Sequence, residues 1–172
     1  MKHLLITGPP GVGKTTLVRR LADRLSVYHP AGFYTDEIRV DGIRKGFQLV
    51  SLAGQKQILS HVDVRGSFRI GRYGVDVPGF DRLLTDLDLP RSPSKIIIID
   101  EIGKMECLSQ RFIQEMEEIL NSPKIVVATI ALKGEGFIAR VKKRPDCRVV
   151  TVTVDNRGQW PDALLQDVLR RL

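Results

Sequence analysis

The sequence has few of the features that mark secreted, membrane or metal-cluster proteins. Cys107 and Cys147 are its only cysteines, and they stand apart, without C-x-x-C spacing or neighbouring histidines. We therefore expect two free thiols rather than a disulfide or a metal site. No apolar run approaches the roughly 20 residues that cross a bilayer, and the first strand-like run begins without a preceding signal peptide. These absences favour a cytoplasmic protein without a membrane partner.

Acidic and aromatic residues are also scarce. The 27 basic residues outnumber the 20 acidic ones, which gives a formal net charge of +7. Such a charge suits a protein that binds polyanions. Aromatic residues make up only 6% of the chain, and no RNA-binding or helix-turn-helix pattern is present, so nucleic acid is the weaker alternative to small nucleotides. With 42% hydrophobic residues, we expect one domain over 1–172 and a monomer.

The most informative motif that is present is a phosphate-binding loop. Residues 8–15 read GPPGVGKT, directly after the apolar run 4–6 and before a helical pattern. Glycines let the backbone N–H groups point inward, and the following helix adds the positive end of its dipole. Lys14 can reach the β- and γ-phosphates of a nucleotide, and the Thr15 hydroxyl is placed to hold Mg²⁺. The predicted phosphate-binding residues are Gly8, Pro9, Pro10, Gly11, Val12, Gly13, Lys14, Thr15 and Thr16.

A second motif supplies carboxylates. Residues 95–101 read KIIIIDE, which predicts a strand buried on both faces with two acids at its C-terminal end, the edge where open α/β sheets bind ligands. Asp100 is predicted to hold the magnesium ion, directly or through water. Glu101 is predicted to orient and deprotonate an attacking water. The nucleotide-site residues predicted here are Ile99, Asp100, Glu101, Ile102, Gly103, Lys104, Met105 and Glu106.

The remaining patterns predict an α/β fold, the phosphate-loop NTPase three-layer sandwich. We expect a mostly parallel sheet with helices on both faces. An antiparallel hairpin insertion is predicted over about 32–62, turning at Asp41-Gly42. The glycine-rich segment 66–80 is interpreted as a long loop, and a lid is proposed over about 131–146.

Several further contacts are predicted less directly. Phosphate-loop proteins that use such a glutamate usually have another strand between the loop strand and the Asp100 strand, with a polar residue at its tip that contacts the γ-phosphate or water. By this analogy Thr129 is expected at that place, although a threonine also suits a strand without any functional role. The basic stretch after it resembles the lid of nucleotide kinases, so Arg140 or Arg144 could act as an arginine finger, with a solvated basic face as the alternative. If both are dispensable, the candidates are Arg65, Arg69 and Arg72. The base is expected near Asp155-Asn156-Arg157, with Trp160 either stacking on it or packing in the core.

The motifs together resemble a known family. GPPGVGKTT, GFYTDEIR, GRYGVD, DEIGKME, ATI followed by KGEGF, and KKRPD span essentially the whole chain. They are similar to those of the small THEP-type nucleoside-triphosphatases, found in thermophilic prokaryotes and including a human cancer-related NTPase. The resemblance implies Mg²⁺-dependent hydrolysis of ATP, GTP, CTP and UTP to diphosphate and phosphate. The chain lacks the Asn-Lys-x-Asp motif that GTPases use to select guanine, which is compatible with broad base tolerance.

Two other functions remain open from the sequence alone. A kinase would use the same loop and carboxylates with a hydroxyl acceptor in place of water, and the insertion could bind that acceptor. A nucleic-acid-associated ATPase switch would instead show turnover stimulated by RNA or DNA, with steep salt dependence.

Overall fold

Nine strands form one continuous mixed sheet in the computed structural model, which describes residues 1–172. The strands are β1 (His3–Thr7), β2 (Ala31–Val40), β3 (Ile43–Ser51), β4 (Lys56–His61), β5 (Arg69–Ile70), β6 (Tyr73–Val75), β7 (Ile96–Ile102), β8 (Ile125–Ile130) and β9 (Cys147–Thr151). Their order across the sheet is β5-β6-β4-β3-β2-β7-β8-β1-β9.

The half of the sheet that carries the phosphate loop is parallel. Strands β2, β7, β8, β1 and β9 pair in parallel register, and β1, β7 and β8 are buried along almost their whole length. Their runs of Leu, Ile and Val suit burial on both faces. The predicted three-layer α/β fold is therefore confirmed. The helices that cover the sheet are α1 (Lys14–Arg24), α2 (Val77–Leu87), α3 (Gln110–Asn121), α4 (Gly136–Lys142) and α5 (Trp160–Leu169).

Each face of the sheet has its own apolar layer. Helices α1 and α5 pack on one face, where Leu21 and Leu164 are fully buried. Helices α2, α3 and α4 pack on the other, around a group of three phenylalanines, Phe33, Phe80 and Phe112, whose ring centroids lie 5.4–6.5 Å apart. These two layers hold the C-terminal ends of the parallel strands at one edge of the sheet. No helix has the combination of length and apolarity needed to traverse a bilayer.

The antiparallel part is larger than the predicted hairpin. Strand β2 pairs in parallel with β7 through residues 31–33 and then antiparallel with β3, so the insertion extends the central sheet. Gly32 permits this approach, because a Cβ there would stand 1.8 Å from the carbonyl oxygen of Ile98. The hairpin turns at Asp41 and Gly42, both at positive φ, as expected.

The interpretation of residues 66–80 as a long loop is wrong. The segment contains the short hairpin β5–β6, and α2 already begins at Val77, capped by the Asp76 carboxylate, which accepts a hydrogen bond from the Gly79 N–H. Strands of two and three residues are too short to produce a recognisable alternating pattern. This hairpin completes the edge of the sheet beyond β4.

Candidate active site

The phosphate loop connects the end of β1 to the start of α1. Gly8 has a φ of 155°, and a Cβ there would stand 2.4 Å from the Val152 carbonyl oxygen, so glycine is required where the loop passes the end of β9. Helix α1 has no side-chain cap and no acidic residue in its first turn. Its positive end is therefore available to an anion. The Lys14 Nζ donates to the carbonyl oxygens of Gly8 and Pro9 at 2.9 and 3.2 Å, so the ammonium group lies over the loop.

Asp100 is a buried carboxylate without a cationic partner. It is 2% exposed and forms no salt bridge. Its Oδ1 accepts a hydrogen bond from Thr129 Oγ1 at 2.5 Å, and its Oδ2 accepts a long one from the Thr35 N–H at 3.4 Å. Buried carboxylates are normally paired or bound to a metal. The remaining oxygen lone pairs of Asp100 and the nearby Thr15 hydroxyl therefore fit Mg²⁺, which prefers oxygen ligands.

Thr129 lies at its predicted place, near the end of a strand between the loop strand and the Asp100 strand. Strand β8 runs between β1 and β7, and Thr129 is fully buried next to Asp100. Its hydroxyl is committed to Asp100, and its side chain does not line the neighbouring cavity. Thr129 therefore orients the Asp100 carboxylate, and its contact with phosphate or water stays a prediction.

Glu101 and Glu106 form a second pair of carboxyl groups. Glu101 is half-buried, and burial raises its pKa, with the Lys14 charge acting in the opposite direction and Asp100 raising it further. Glu106 is buried, and burial together with the charge of Glu101 raises its pKa to about 8, so it holds its proton at neutral pH. Both side chains come within 3.4 Å of the point where a Cβ on Gly103 would stand. The missing side chain of Gly103 thus makes room for two adjacent acids, of which Glu106 is protonated at neutral pH.

These groups face a cavity of about 380 Å³, called here the insertion-side cavity. It lies between the end of β7 and the antiparallel strands. Its lining residues are Thr15, Thr35, Glu37, Phe47, Leu59, Ile70, Asp100, Glu101, Gly103, Lys104, Met105, Glu106 and Ala131. Of the predicted 99–106 segment, only Ile99 and Ile102 do not line it. Both side chains are fully buried in the core, and the pairing of β7 with β8 shifts register between these two residues. Their side chains do not face the cavity, and their part in nucleotide binding stays a prediction.

A second cavity of about 290 Å³ lies on the other side of the start of α1, beside the end of β9. Arg157, one of the residues predicted near the base, lines it together with Arg20 of α1. Trp160 does not line it. Its indole N–H donates to Asn156 Oδ1 at 2.9 Å and its ring packs on the core, so the packing interpretation of Trp160 is the correct one. The other lining residues are Val12, Gly13, Thr16, Leu17, Val152, Gly158 and Pro161.

The two predicted finger arginines are both engaged elsewhere. Arg144 forms a two-pronged salt bridge with Asp146, whose backbone carbonyl accepts from the His3 N–H at the start of β1. This is the edge of the sheet opposite the phosphate loop, so the prediction of Arg144 as a finger is wrong. Arg140 pairs with Glu117 of α3 at 2.7 Å and is also turned away from the phosphate loop in this structure.

Lys142 is the basic residue of this segment whose charge acts on Glu101. Its Nζ donates to the Leu132 carbonyl oxygen at 2.8 Å. Burial lowers its pKa, and the charge of Glu101 raises it, while Lys142 lowers the pKa of Glu101 in return. The sequence placed Lys142 in the basic stretch but carried no signal that singled it out.

Comparison with known proteins places this geometry in a family. The NTPase family model matches residues 3–168. A nucleoside-triphosphatase THEP1 from Thermotoga sp. (strain RQ2) is 40% identical over 96% of this chain and 92% of its own. The human cancer-related nucleoside-triphosphatase is 38% identical over 98% of this chain and 95% of its own. The crystal structure of THEP1 from Aquifex aeolicus superposes with a TM-score of 0.87 at 33% identity, covering 96% of this chain and 98% of that one.

The phosphate loop, the buried carboxylates and these matches over nearly the whole chain agree with one another. The predicted family resemblance is confirmed. This chain belongs to the NTPase family and is a phosphate-loop nucleoside-triphosphatase.

Proposed function

We propose that this enzyme hydrolyses ATP, GTP, CTP and UTP to the nucleoside diphosphate and phosphate in a Mg²⁺-dependent reaction. The observation that carries the proposal is the buried, unpaired Asp100 next to Glu101, facing the same cavity as Thr15. Thr15 and Asp100 would hold the magnesium ion. When bound, the ion supplies positive charge to the phosphate oxygens.

Different residues have different roles in this reaction. The phosphate loop and the Lys14 ammonium group bind the phosphates, while Thr129 keeps Asp100 oriented. Glu101 accepts the proton of the attacking water. Its pKa is raised by burial, which moves this base towards the working pH and strengthens it. Glu106, protonated at neutral pH beside it, adds no second negative charge.

Broad base tolerance is supported by the second cavity. Its walls offer aliphatic side chains and the guanidinium groups of Arg20 and Arg157. Guanidinium groups and aliphatic surfaces interact with the phosphates, ribose and ring faces that all four nucleotides share. No Asn-Lys-x-Asp sequence is present to select guanine.

The first test is phosphate release from each of the four nucleotides, with and without Mg²⁺ and in the absence of any acceptor. Comparable release from all four that disappears with EDTA is the expected result. Release from one nucleotide only would contradict base tolerance, and release unaffected by EDTA would contradict the metal requirement. A parallel arm with added RNA or DNA at two salt concentrations tests the switch alternative, which requires stimulation that salt abolishes.

Lys142 is proposed as the lid cation of this reaction. We expect Lys142→Met to lower kcat by about 10²-fold, the cost typical of removing one group that stabilises transition-state charge. Arg140→Met is the matched control, because Arg140 lies on the same helix but pairs with Glu117, and we expect its kcat to stay near wild type. Steady-state phosphate release at saturating nucleotide measures both. Equal kcat values for Lys142→Met and wild type would contradict the assignment.

A further inference from the structure

The motif GRYGVD at residues 71–76 has no part in the hydrolysis described above. It forms the turn and second strand of the β5–β6 hairpin, next to the insertion-side cavity. The Tyr73 hydroxyl accepts hydrogen bonds from Arg44 Nε at 3.0 Å and from Arg72 Nη at 3.2 Å. Arg72 also donates to the Arg44 carbonyl oxygen at 2.5 Å. The motif therefore fixes two guanidinium groups side by side.

These groups belong to a cluster of four arginines, Arg39, Arg44, Arg69 and Arg72, called here the arginine cluster. Its only salt-bridge partner is Glu37, which pairs with Arg39 and Arg44. Arg69 and Arg72 form no salt bridge, so the cluster keeps an excess of positive charge. An excess of fixed guanidinium groups is the arrangement that recognises phosphate.

The arginine cluster borders the insertion-side cavity. Glu37 and Phe47 line the cavity, and the Arg44 guanidinium lies 5.1 Å from the centre of the Phe47 ring. Tyr73 packs edge-on against the same ring, with centroids 5.6 Å apart. The arginine cluster therefore lies just outside the end of the cavity formed by Glu37 and Phe47. Glu101 and Thr15 lie at its inner end, with apolar walls of Leu59, Ile70 and Met105 between the two ends.

Hydrolysis does not need a space of this size. A water molecule occupies about 30 Å³ in the liquid, and the metal ion and reacting phosphate need only the inner end, where Thr15, Asp100 and Glu101 lie. The cavity measures about 380 Å³, within the range of small-molecule sites, and extends past that end to Phe47 and Ile70. The second cavity, with Arg20 and Arg157, lies on the opposite side of the start of α1 and suits the base and ribose. A molecule in the insertion-side cavity would therefore approach the phosphates from the side opposite the nucleoside, as in-line displacement requires.

We propose that the insertion-side cavity binds a second substrate, a small phosphate monoester with a free hydroxyl group. Its phosphate contacts Arg44 and Arg72, and its hydroxyl faces Glu101. The hydroxyl oxygen forms the bond to the γ-phosphorus, the bond from γ-phosphorus to the bridging oxygen breaks, and the nucleoside diphosphate leaves with that electron pair. The hydroxyl proton passes to Glu101. This transfer rests on the phosphoryl chemistry proposed above, with hydrolysis as the reaction when water occupies the site.

The binding step is tested under conditions in which no phosphoryl transfer can occur. The protein is saturated with Mg²⁺ and a non-hydrolysable ATP analogue, so that the nucleotide site is filled. Ligand-observed NMR titrations then compare ribose 5-phosphate and the monophosphates AMP, CMP, GMP and UMP with neutral ribose and the four nucleosides. We expect saturable binding of at least one monoester and none of its neutral counterpart.

Variants assign the binding to the arginine cluster. Arg44→Gln and Arg72→Gln should each weaken the monoester affinity about tenfold or more, the effect of losing a charge-assisted hydrogen bond. Arg91→Gln is the matched control, because Arg91 is an exposed arginine paired with Asp88 far from the cavity. Binding by no monoester, equal binding of the neutral counterparts, or affinities unchanged in both cluster variants would overturn the proposal.

The transfer step is followed by ³¹P NMR with ATP, Mg²⁺ and the monoester that binds. A new phosphate ester on that compound is the expected product. Binding without such a product would overturn the acceptor role. The two proposals are tested independently. Phosphate release measured without any monoester tests the hydrolysis proposal, and monoester binding measured without turnover tests the second substrate site.

Discussion

Glu101→Gln is expected to lower nucleoside-triphosphate hydrolysis by about 10²–10⁴-fold, the usual contribution of a general base, while nucleotide affinity stays near that of the wild type. The side chain lies at the inner end of the insertion-side cavity, beside Asp100 and within the field of Lys14 and Lys142. Glutamine keeps the shape of this side chain and its ability to accept a hydrogen bond from water, but it cannot take the proton. The phosphate loop, which carries the binding, is untouched by the change.

Two measurements separate these effects. Phosphate release at saturating Mg²⁺·ATP gives kcat, and calorimetric titration with a non-hydrolysable analogue gives the dissociation constant. Glu117→Gln is the matched control, because Glu117 lies on the exposed side of α3 and pairs only with Arg140. A kcat for Glu101→Gln equal to that of Glu117→Gln would remove Glu101 from the mechanism. A large loss of affinity together with kcat would instead indicate a binding role.

Lys14→Ala should weaken both binding and catalysis. The ammonium group lies over the phosphate loop, held by the Gly8 and Pro9 carbonyl oxygens, and is available to the phosphates at that position. Losing one charge-assisted contact of this kind costs about 10- to 150-fold in triphosphate affinity. Because the transition state spreads negative charge over the transferred group, kcat should fall as well.

The same two assays measure this variant, with Lys143→Ala as the control. Lys143 is exposed at the end of α4 and forms no hydrogen bond through its side chain, so its removal changes the net charge by the same amount without touching the loop. Wild-type affinity for the triphosphate in Lys14→Ala would contradict the assigned contact. An equal loss in Lys143→Ala would show that total charge, and not this position, controls binding.

Most of the fold follows from local patterns. The aliphatic runs of β1, β7 and β8 are long enough and apolar enough to identify buried parallel strands, and the helical stripes of α1 and α3 are regular. Strands β5 and β6 were missed because their pairing with each other and with β4 supplies the stability that their own residues do not.

The rotation of helix α4, in the predicted lid segment, could not be predicted from the sequence. Arg140 and Lys142 are two positions apart on α4, so their side chains point about 200° apart around the helix. Both are basic, and the local sequence is equally compatible with either one facing the active site. Packing of Phe137, Ile138 and Val141 into the core sets the rotation of the helix, which directs Lys142 towards Glu101 and Arg140 towards Glu117.

The sequence by itself determined the phosphate loop, the Asp100–Glu101 pair and the parallel core, because each depends on residues that are adjacent or regularly spaced. Only the tertiary structure decided which basic residue of α4 acts on Glu101, the neutral state of Glu106, and the cavity between the Asp100–Glu101 pair and the arginine cluster. These features join residues as distant as Glu37, Ile70 and Glu101. Their chemistry depends on burial and on neighbouring charges, which exist only after the chain has folded.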